Sequence, residues 1–321
     1  MSQLVYLSGR PIDIRQDDII AVITQRNEAL RLPYLLTYYR RIGINRFLVI
    51  DNGSTDGSRD MLLRQPDISL FSTEDSYAAC NFGMDWVNTL LNHFCDGHWI
   101  VAADADECLV WPGCESQTLR HLTHWMDSIG AEALFTMMLE MYSDRAFGAI
   151  GYTAGESFLA YAPFFDQRGY VIAPFNAFPN RRIVGGIRRR MFRDLPNSAG
   201  NLSTINKLPL IRWRRGRAFT ASTHFIREPV RLAPIRGALL HFKMLDDLYE
   251  ECRIEVARET GFNKSAAAKL LIAAIDRNSH RSFYDPSISL RYTDTNQLVQ
   301  LGLMSRDSPF PAANIASDQV R

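Results

Sequence analysis

The sequence predicts an α/β fold, a doubly wound and mostly parallel sheet with helices on both faces, followed by a C-terminal helical extension. Three observations predict it. Strand and helix signals alternate through the first hundred residues, the order of a right-handed βαβ winding. An apolar run, His98 to Ala103, reads as a buried parallel strand and ends abruptly in Asp104-Ala105-Asp106-Glu107. With 321 residues at 46% hydrophobic content, the chain can bury a large core as one big α/β domain or as a domain plus an appendage.

Taken in order, Ile19 to Thr24 is a short apolar strand. The loop Gln25-Arg26-Asn27-Glu28 leads into a helix carrying Leu30, Tyr34, Leu35, Tyr38 and Ile42 on one face, stopped by Gly43. Arg46 to Ile50 is a second buried strand, and Asp51 to Gly57 turns it into a helix with Thr55 or Asp56 as N-cap. Ile68 to Ser72 is a third strand, a long helix covers Ser76 to Phe94, and the strand with the acidic tip is the fourth. Past Gly113 come an amphipathic helix, Ser116 to Ile129, and a strand, Ala133 to Tyr142. Ser143 to Pro209 is rich in Gly, Pro, Asn and aromatics and lacks steady periodicity, so loops and short strands over the sheet's carboxyl edge are expected there. Arg217 to Phe225 and Gly237 to Lys243 are strand-like. Helices follow at Leu245 to Thr260 and Lys264 to Arg277, then a polar tail with Pro286, Pro309 and Pro311.

Charge and cysteine usage narrow the function. Lys plus Arg number 36 against 35 Asp plus Glu, so no global field draws the chain onto nucleic acid or an acidic membrane. The five cysteines form no C-x-x-C pair and read as free thiols in a reducing compartment. The N-terminus lacks a basic region followed by an apolar stretch, and no run reaches bilayer length. The expected location is cytoplasmic, with room for a peripheral contact at the inner face of a membrane.

The acidic tetrapeptide is where chemistry is expected. Open α/β sheets bind ligands beyond the carboxyl ends of their strands, and two carboxylates held close need a cation between them. A divalent ion carrying a nucleotide diphosphate suits Asp104 and Asp106, because Mg²⁺ or Mn²⁺ on one or two carboxylates completes its shell with phosphates and water. Asp51, ending the second strand, is placed to bond a ribose hydroxyl or a base N–H. The G-x-G-x-x-G cradle of dinucleotide folds is missing, which weakens an oxidoreductase reading.

Three motifs in order, Ile23-Thr-Gln-Arg-Asn-Glu-Ala29, Val49-Ile-Asp-Asn-Gly-Ser-Thr-Asp-Gly57 and Ala103-Asp-Ala-Asp-Glu-Cys-Leu109, give the chain a resemblance to GT-A glycosyltransferases. It is closest to the bacterial family-two-like group and its relatives in family ninety-two, and covers about the first 110 residues. The resemblance implies a GT-A fold over 1–243, with a nucleotide-sugar half at 17–112 and an acceptor half at 113–243, and an extension at 244–321. By it Thr24, Arg26 and Glu28 line the base pocket, Asp51 holds the nucleoside, and Asp104 and Asp106 manage ribose and metal. Asn81 keeps its place as a donor contact in Ala79-Cys-Asn-Phe-Gly83, where many relatives carry A-R-N-x-G, so the Arg that would meet the donor is absent. The implied reaction is metal-dependent transfer, with inversion, from a nucleotide-diphosphate sugar, a UDP-sugar above all, to a glycan or lipid-linked saccharide in surface or exopolysaccharide synthesis.

The remaining roles have several candidates. His241, closing the strand Gly237 to Lys243, is the expected third metal ligand beside Asp104 and Asp106, with His224 a lesser alternative. His121 and His124 read as surface residues. Base candidates for the acceptor hydroxyl are Glu140, Asp144 and Asp166. In Gly185-Gly-Ile-Arg-Arg-Arg190 a strand would place Arg188 and Arg190 on one face, aimed at the diphosphate. The aromatics Tyr161, Phe164, Phe165, Tyr170, Phe175 and Phe178 are expected to wall the acceptor site. Three rivals stand beside this reading. A non-catalytic glycan-binding domain would keep the fold without turnover. A nucleic-acid-binding module would use the same arginines with Arg212, Arg214, Arg215, Arg217 and Trp213, against the balanced charge. A phosphatase with Asp104 as nucleophile would want Thr or Val where the chain has Cys108.

Overall fold

The computed structural model describes residues 4–193, 195, 204–220, 222–258, 262–278, 282–310 and 314–315. The first half comprises β1 (Val5–Tyr6), β2 (Ile19–Gln25), α1 (Leu32–Ile42), β3 (Arg46–Asp51), α2 (Ser58–Leu63), β4 (Ile68–Ser72), α3 (Met84–Phe94), β5 (Trp99–Ala102) and β6 (Glu107–Val110). Then come α4 (Leu119–Ser128), β7 (Ala133–Glu140), α5 (Phe158–Tyr161), β8 (Phe164–Asp166), β9 (Tyr170–Pro174), β10 (Arg181–Val184), α6 (Gly186–Phe192) and β11 (Asn206–Arg212). The last part holds β12 (Leu232–His241), α7 (Leu248–Arg258), α8 (Phe262–Arg277), β13 (Ser289–Arg291) and α9 (Thr295–Gln300).

Among the described residues nine strands form one mixed sheet in the order β1-β4-β3-β2-β5-β11-β7-β12-β6. Strands β2, β3, β4 and β5 run parallel, as do β7 and β12, while β1, β6 and β11 oppose their neighbours. The winding moves outward from β2 through β3 to β4 and then returns to β5 on β2's other side. With right-handed crossovers this puts α1 and α3 on opposite faces and opens a switch point between β2 and β5. The apolar runs are buried as expected: every residue of β5 and β7 is inside, and Leu32, Leu35, Leu36 and Tyr39 of α1 close one side of the core.

Edge strand β6 would expose unpaired carbonyls, and α1 supplies donors to them. Tyr39 Oη donates to the Glu107 carbonyl at 2.9 Å and Tyr38 Oη to that of Leu109 at 2.6 Å. A second core gathers Ile187, Met191 and Phe192 of α6, Leu248 and Cys252 of α7, and Ala268, Leu271 and Ile275 of α8. No described helix is long and apolar enough to cross a membrane.

Several local expectations are corrected. The helix expected from Ser76 starts at Met84, because Asn81, Phe82 and Gly83 all take left-handed φ of 52°, 53° and 78°. Gly57, not Thr55 or Asp56, caps α2; the Asp56 carboxylate accepts instead from the Ser58 and Ala29 amides. Arg217 to Phe225 is not a strand but a turn region with an isolated bridge, Phe219 to Ile226, and Ala221 lies outside the described residues. Thr260 and Pro311 also lie outside them. The expected strand through Arg188 to Arg190 is the helix α6, entered through Gly185 at φ 143°, where a Cβ would strike the Gly169 carbonyl and approach Tyr170 Cα to 2.8 Å. Strand β11, whose first residues are expected among loops and short strands over the sheet's edge, is instead central; its register against β7 shifts between Lys207 and Leu210, and this bulge accommodates Pro209, which lacks an N–H.

Candidate active site

Five strand ends deliver charge to one place. After β5 the tetrapeptide turns, with the Glu107 amide on the Asp104 carbonyl at 3.2 Å, and the Phe242 amide holds the Asp106 carbonyl at 2.8 Å. Because β6 joins the sheet beside β12 rather than β5, His241 faces Glu107 in register on one side and Glu140 of β7 on the other. Lys207 enters from β11, which runs the opposite way, so its first residues lie at the carboxyl ends of β5 and β7.

The contacts divide into two groups. Lys207 Nζ lies 2.6 Å from both Asp104 Oδ2 and Glu107 Oε1, and its side chain is 3% exposed. His241 bridges the second group, with Nε2 3.1 Å from Asp106 Oδ2 and Nδ1 3.2 Å from Glu140 Oε1. Arg188 Nη2 reaches Glu140 Oε1 at 2.7 Å. The protein surroundings of Asp104 work against its ionisation although its side chain reaches solvent, yet Lys207 outweighs them and holds the carboxyl below its usual range. Burial likewise opposes ionisation of Glu140, but Arg188 and His241 bring it down to about 2. For Glu107 burial prevails over Lys207, and the carboxyl is pushed up to about 7. Burial would neutralise His241, whereas Asp106 and Glu140 push it up to about 10.

The donor set fits a divalent ion. Asp106, Glu107 and His241 each offer a ligand atom within 4.8 Å of the others. The 3.1 Å between Asp106 Oδ2 and His241 Nε2 is close to the ~3 Å edge of an octahedron whose bonds are about 2.1 Å. Bonding an ion through Nε2 requires a neutral ring, and Glu140 at Nδ1 is then the carboxylate that fixes the tautomer. Asp104, expected as a ligand, is on Lys207 instead. Sequence reasoning names Asp104, Asp106 and His241 but misses Glu107, although it lies in the tetrapeptide. It also misses Lys207, which no motif marks.

The β2/β5 switch point adjoins this cluster, and the other expected donor residues vary in availability. Thr24 Oγ1 is a buried hydroxyl with no partner, and Arg26 is exposed. Burial pushes Glu28 up to about 8 despite nearby Arg31. Asp51 is fully buried and already engaged: Oδ1 accepts from Gln25 Nε2 at 2.5 Å, and Oδ2 from Arg59 Nε at 2.7 Å and Nη2 at 2.6 Å. Asn81 donates to the Thr220 carbonyl at 2.9 Å. Arg190, expected on phosphate, forks onto Asp166 at 2.8 and 3.1 Å, with Tyr142 Oη donating to Asp166 at 2.5 Å. Asp144 is exposed, as are His121 and His124. Phe164, Phe165 and Tyr170 are core residues, which leaves Tyr161, Phe175 and Phe178 partly exposed.

A further ion network joins the loop after β2 to α7. Arg31, 2% exposed, places Nη1 2.6 Å from Asp247, 2.7 Å from Glu251 and 3.4 Å from Glu28, and its Nη2 donates to Asp247 at 2.8 Å. His224 hydrogen-bonds through Nδ1 to the Asn206 carbonyl at 2.5 Å, and burial with nearby Lys207 lowers it to about 3.

No protein-family model matches the chain, and no curated protein does. Among solved structures, HddC from Yersinia pseudotuberculosis is 9% identical, with 74% of this chain and 99% of that one covered at a TM-score of 0.33. UDP-glucose pyrophosphorylase from Acinetobacter baumanii is 10% identical, with 59% and 84% covered at 0.28. The bifunctional glycosyltransferase WbbM is 14% identical at 0.27, with 41% of this chain covering 25% of that one. Overlap this slight assigns neither family nor activity.

Proposed function

We propose that the chain is a metal-dependent glycosyltransferase that moves a sugar, with inversion, from a nucleotide-diphosphate donor to a glycan or lipid-linked acceptor. The observation that carries it is the meeting of Asp104 and Asp106, from the turn after β5, with His241, from the end of β12, at the carboxyl edge beside the β2/β5 switch point. Asp106 and His241 would hold Mn²⁺ or Mg²⁺, which supplies counter-charge for the departing diphosphate. Asp104, 59% exposed at its side chain, keeps an oxygen turned toward a ribose or sugar hydroxyl. Thr24 near the end of β2, with Arg26 and Glu28 in the loop after it, would face the nucleoside, and Asp51 holds the start of that loop in place through Gln25 and Arg59. Of the three base candidates, Glu140 is committed to His241 and Arg188, and Asp166 to Arg190 and Tyr142. Asp144 alone of them is exposed to an incoming acceptor, and we assign it as the base. Residues 1–243 form the transferase unit in this reading and 244–321 its extension.

The nucleic-acid alternative loses ground to pairing. Arg212 lies 3.6 Å from Asp127, and Arg214 and Arg217 share the single Glu132 at 3.3 and 2.5 Å, so part of the segment's charge is offset.

A thermal-shift series with UDP, other nucleoside diphosphates and their sugars, with and without Mn²⁺, tests the function. The expected result is Mn²⁺-dependent stabilisation, about 2.7 kcal/mol at a hundredfold excess of ligand over Kd, that is lost in Asp106→Ala. Failure of every nucleoside diphosphate to stabilise the wild-type chain would defeat the reading.

A further inference from the structure

Lys207 has no part in the reaction outlined above, yet it occupies the centre of the carboxylate cluster. Its ammonium is as close to Glu107 as to Asp104, at 2.6 Å each, and it is almost wholly enclosed. An enclosed ammonium is held only by paired carboxylates, and it commits both to itself. Four carboxylates, Asp104, Asp106, Glu107 and Glu140, thus share direct contact with two permanent cations, Lys207 and Arg188, and one imidazole. Glu107 is near enough to Asp106 and His241 to serve as a third protein ligand, but Lys207 already bonds it.

We propose that Lys207 is a resident cation that partitions the cluster, engaging Asp104 and Glu107 so that a divalent ion takes only Asp106 and His241 from the protein. The inference rests on reading the cleft as a divalent-ion site. It makes Lys207 a positioning residue with two effects. The ion is held by few protein ligands and keeps most of its shell for phosphate oxygens and water, as a substrate-carrying Mg²⁺ or Mn²⁺ does. Asp104 is also pinned by one oxygen, so that the other is presented to the donor's hydroxyl groups. The bulge at Pro209 belongs to the same device, since it lies just beyond Lys207 in the strand that delivers the ammonium.

Mn²⁺ alone is the probe, with free ion read from its electron paramagnetic resonance signal and no nucleotide present. Lys207→Met releases Glu107, and with it Asp104, so Mn²⁺ should bind about tenfold more tightly or better than to wild type, and Glu107→Gln in that background should reverse most of the gain. Unchanged or weaker binding by a cooperatively melting Lys207→Met overturns the proposal. Should that variant not fold, Glu107→Gln decides alone. It is expected to change Mn²⁺ affinity by no more than about threefold, against about thirtyfold or more for Asp106→Ala. Equal losses in the two would show that Glu107 is a ligand and that Lys207 partitions nothing. A wild-type chain that binds no Mn²⁺ would remove the metal from the proposed function. In that case a site gained in Lys207→Met still supports the resident cation, and no gain refutes it.

Discussion

Replacing Arg31 by Met keeps an unbranched apolar stem and removes the guanidinium that contacts Glu28, Asp247 and Glu251. Removing one partner of a buried ion pair costs about 3–5 kcal/mol, because the charge left behind has no counter-ion. Here the three carboxylates keep 23%, 28% and 34% exposure, so water takes up part of the loss and ~3 kcal/mol is the working figure. Unfolding entropy of about 2.1 cal/mol/K per residue gives ~0.7 kcal/mol/K for the chain, and hence a fall in Tm of about 4–5 °C. The loss has a pH signature. Glu28 already sits up at about 8, and without Arg31 it rises further. A carboxyl raised in the folded state contributes stability below its folded pKa that is lost as pH climbs through it. The deficit of Arg31→Met should therefore be larger at pH 9 than at pH 6, and Glu251→Gln added to it should recover part of the loss. Calorimetry at the two pH values is the assay. A shift under about 1 °C at pH 8, or a deficit that shrinks as pH rises, would refute the reasoning.

Two further predictions follow from packing and proton linkage. A Cβ at Gly237 would meet the Val110 carbonyl at 2.8 Å and Leu134 Cδ2 at 3.0 Å, so Gly237→Ala must push β6 from β12. It should cost about 1–3 kcal/mol, roughly 2–4 °C in Tm, and weaken Mn²⁺ binding by displacing the strand beside His241; an unchanged melt would contradict so close an approach of β6 to β12. His224, lowered to about 3, stays neutral while the unfolded chain's imidazole takes a proton below about 6.5, so stability falls with falling pH in that window. His224→Gln should remove about 1 kcal/mol of that loss between pH 6 and pH 5, measured by urea melts; parallel pH profiles for the two chains would count against a neutral buried ring.

The strands that can be read from sequence are those whose own residues decide them. Ile19–Gln25, Arg46–Asp51, Ile68–Ser72 and Ala133–Glu140 are short, mostly apolar segments that bury best as strands of a covered sheet. β11 is illegible because its pattern is broken by Lys207 and Pro209, and only its two neighbours make it a strand. β6 is four residues long and pairs with a strand far along the chain, which no local period reveals. The same distinction runs through the site. Asp104, Asp106 and His241 end apolar strands and announce themselves, whereas Lys207 and Arg31 matter through partners from remote segments. The arginines near Gly185 show the converse failure. Their spacing suggests a phosphate-facing strand, while the unmet charge of Glu140 and Asp166 inside the fold draws Arg188 and Arg190 inward from a helix.

Strand β11 also bears on how the chain is made. It is the seam between β5 and β7, and Ile211 meets Ile100 across a long stretch of intervening chain. A nascent polypeptide on the ribosome that has not yet extruded residues 206–212 offers the bare rim of β5 to its surroundings, and β7 has neither flanking strand in place. Such rims recruit other chains. Translation stalled before residue 206 should therefore yield clumped product instead of a compact fragment, and assembly of the cluster around Lys207 is postponed until the seam is sewn.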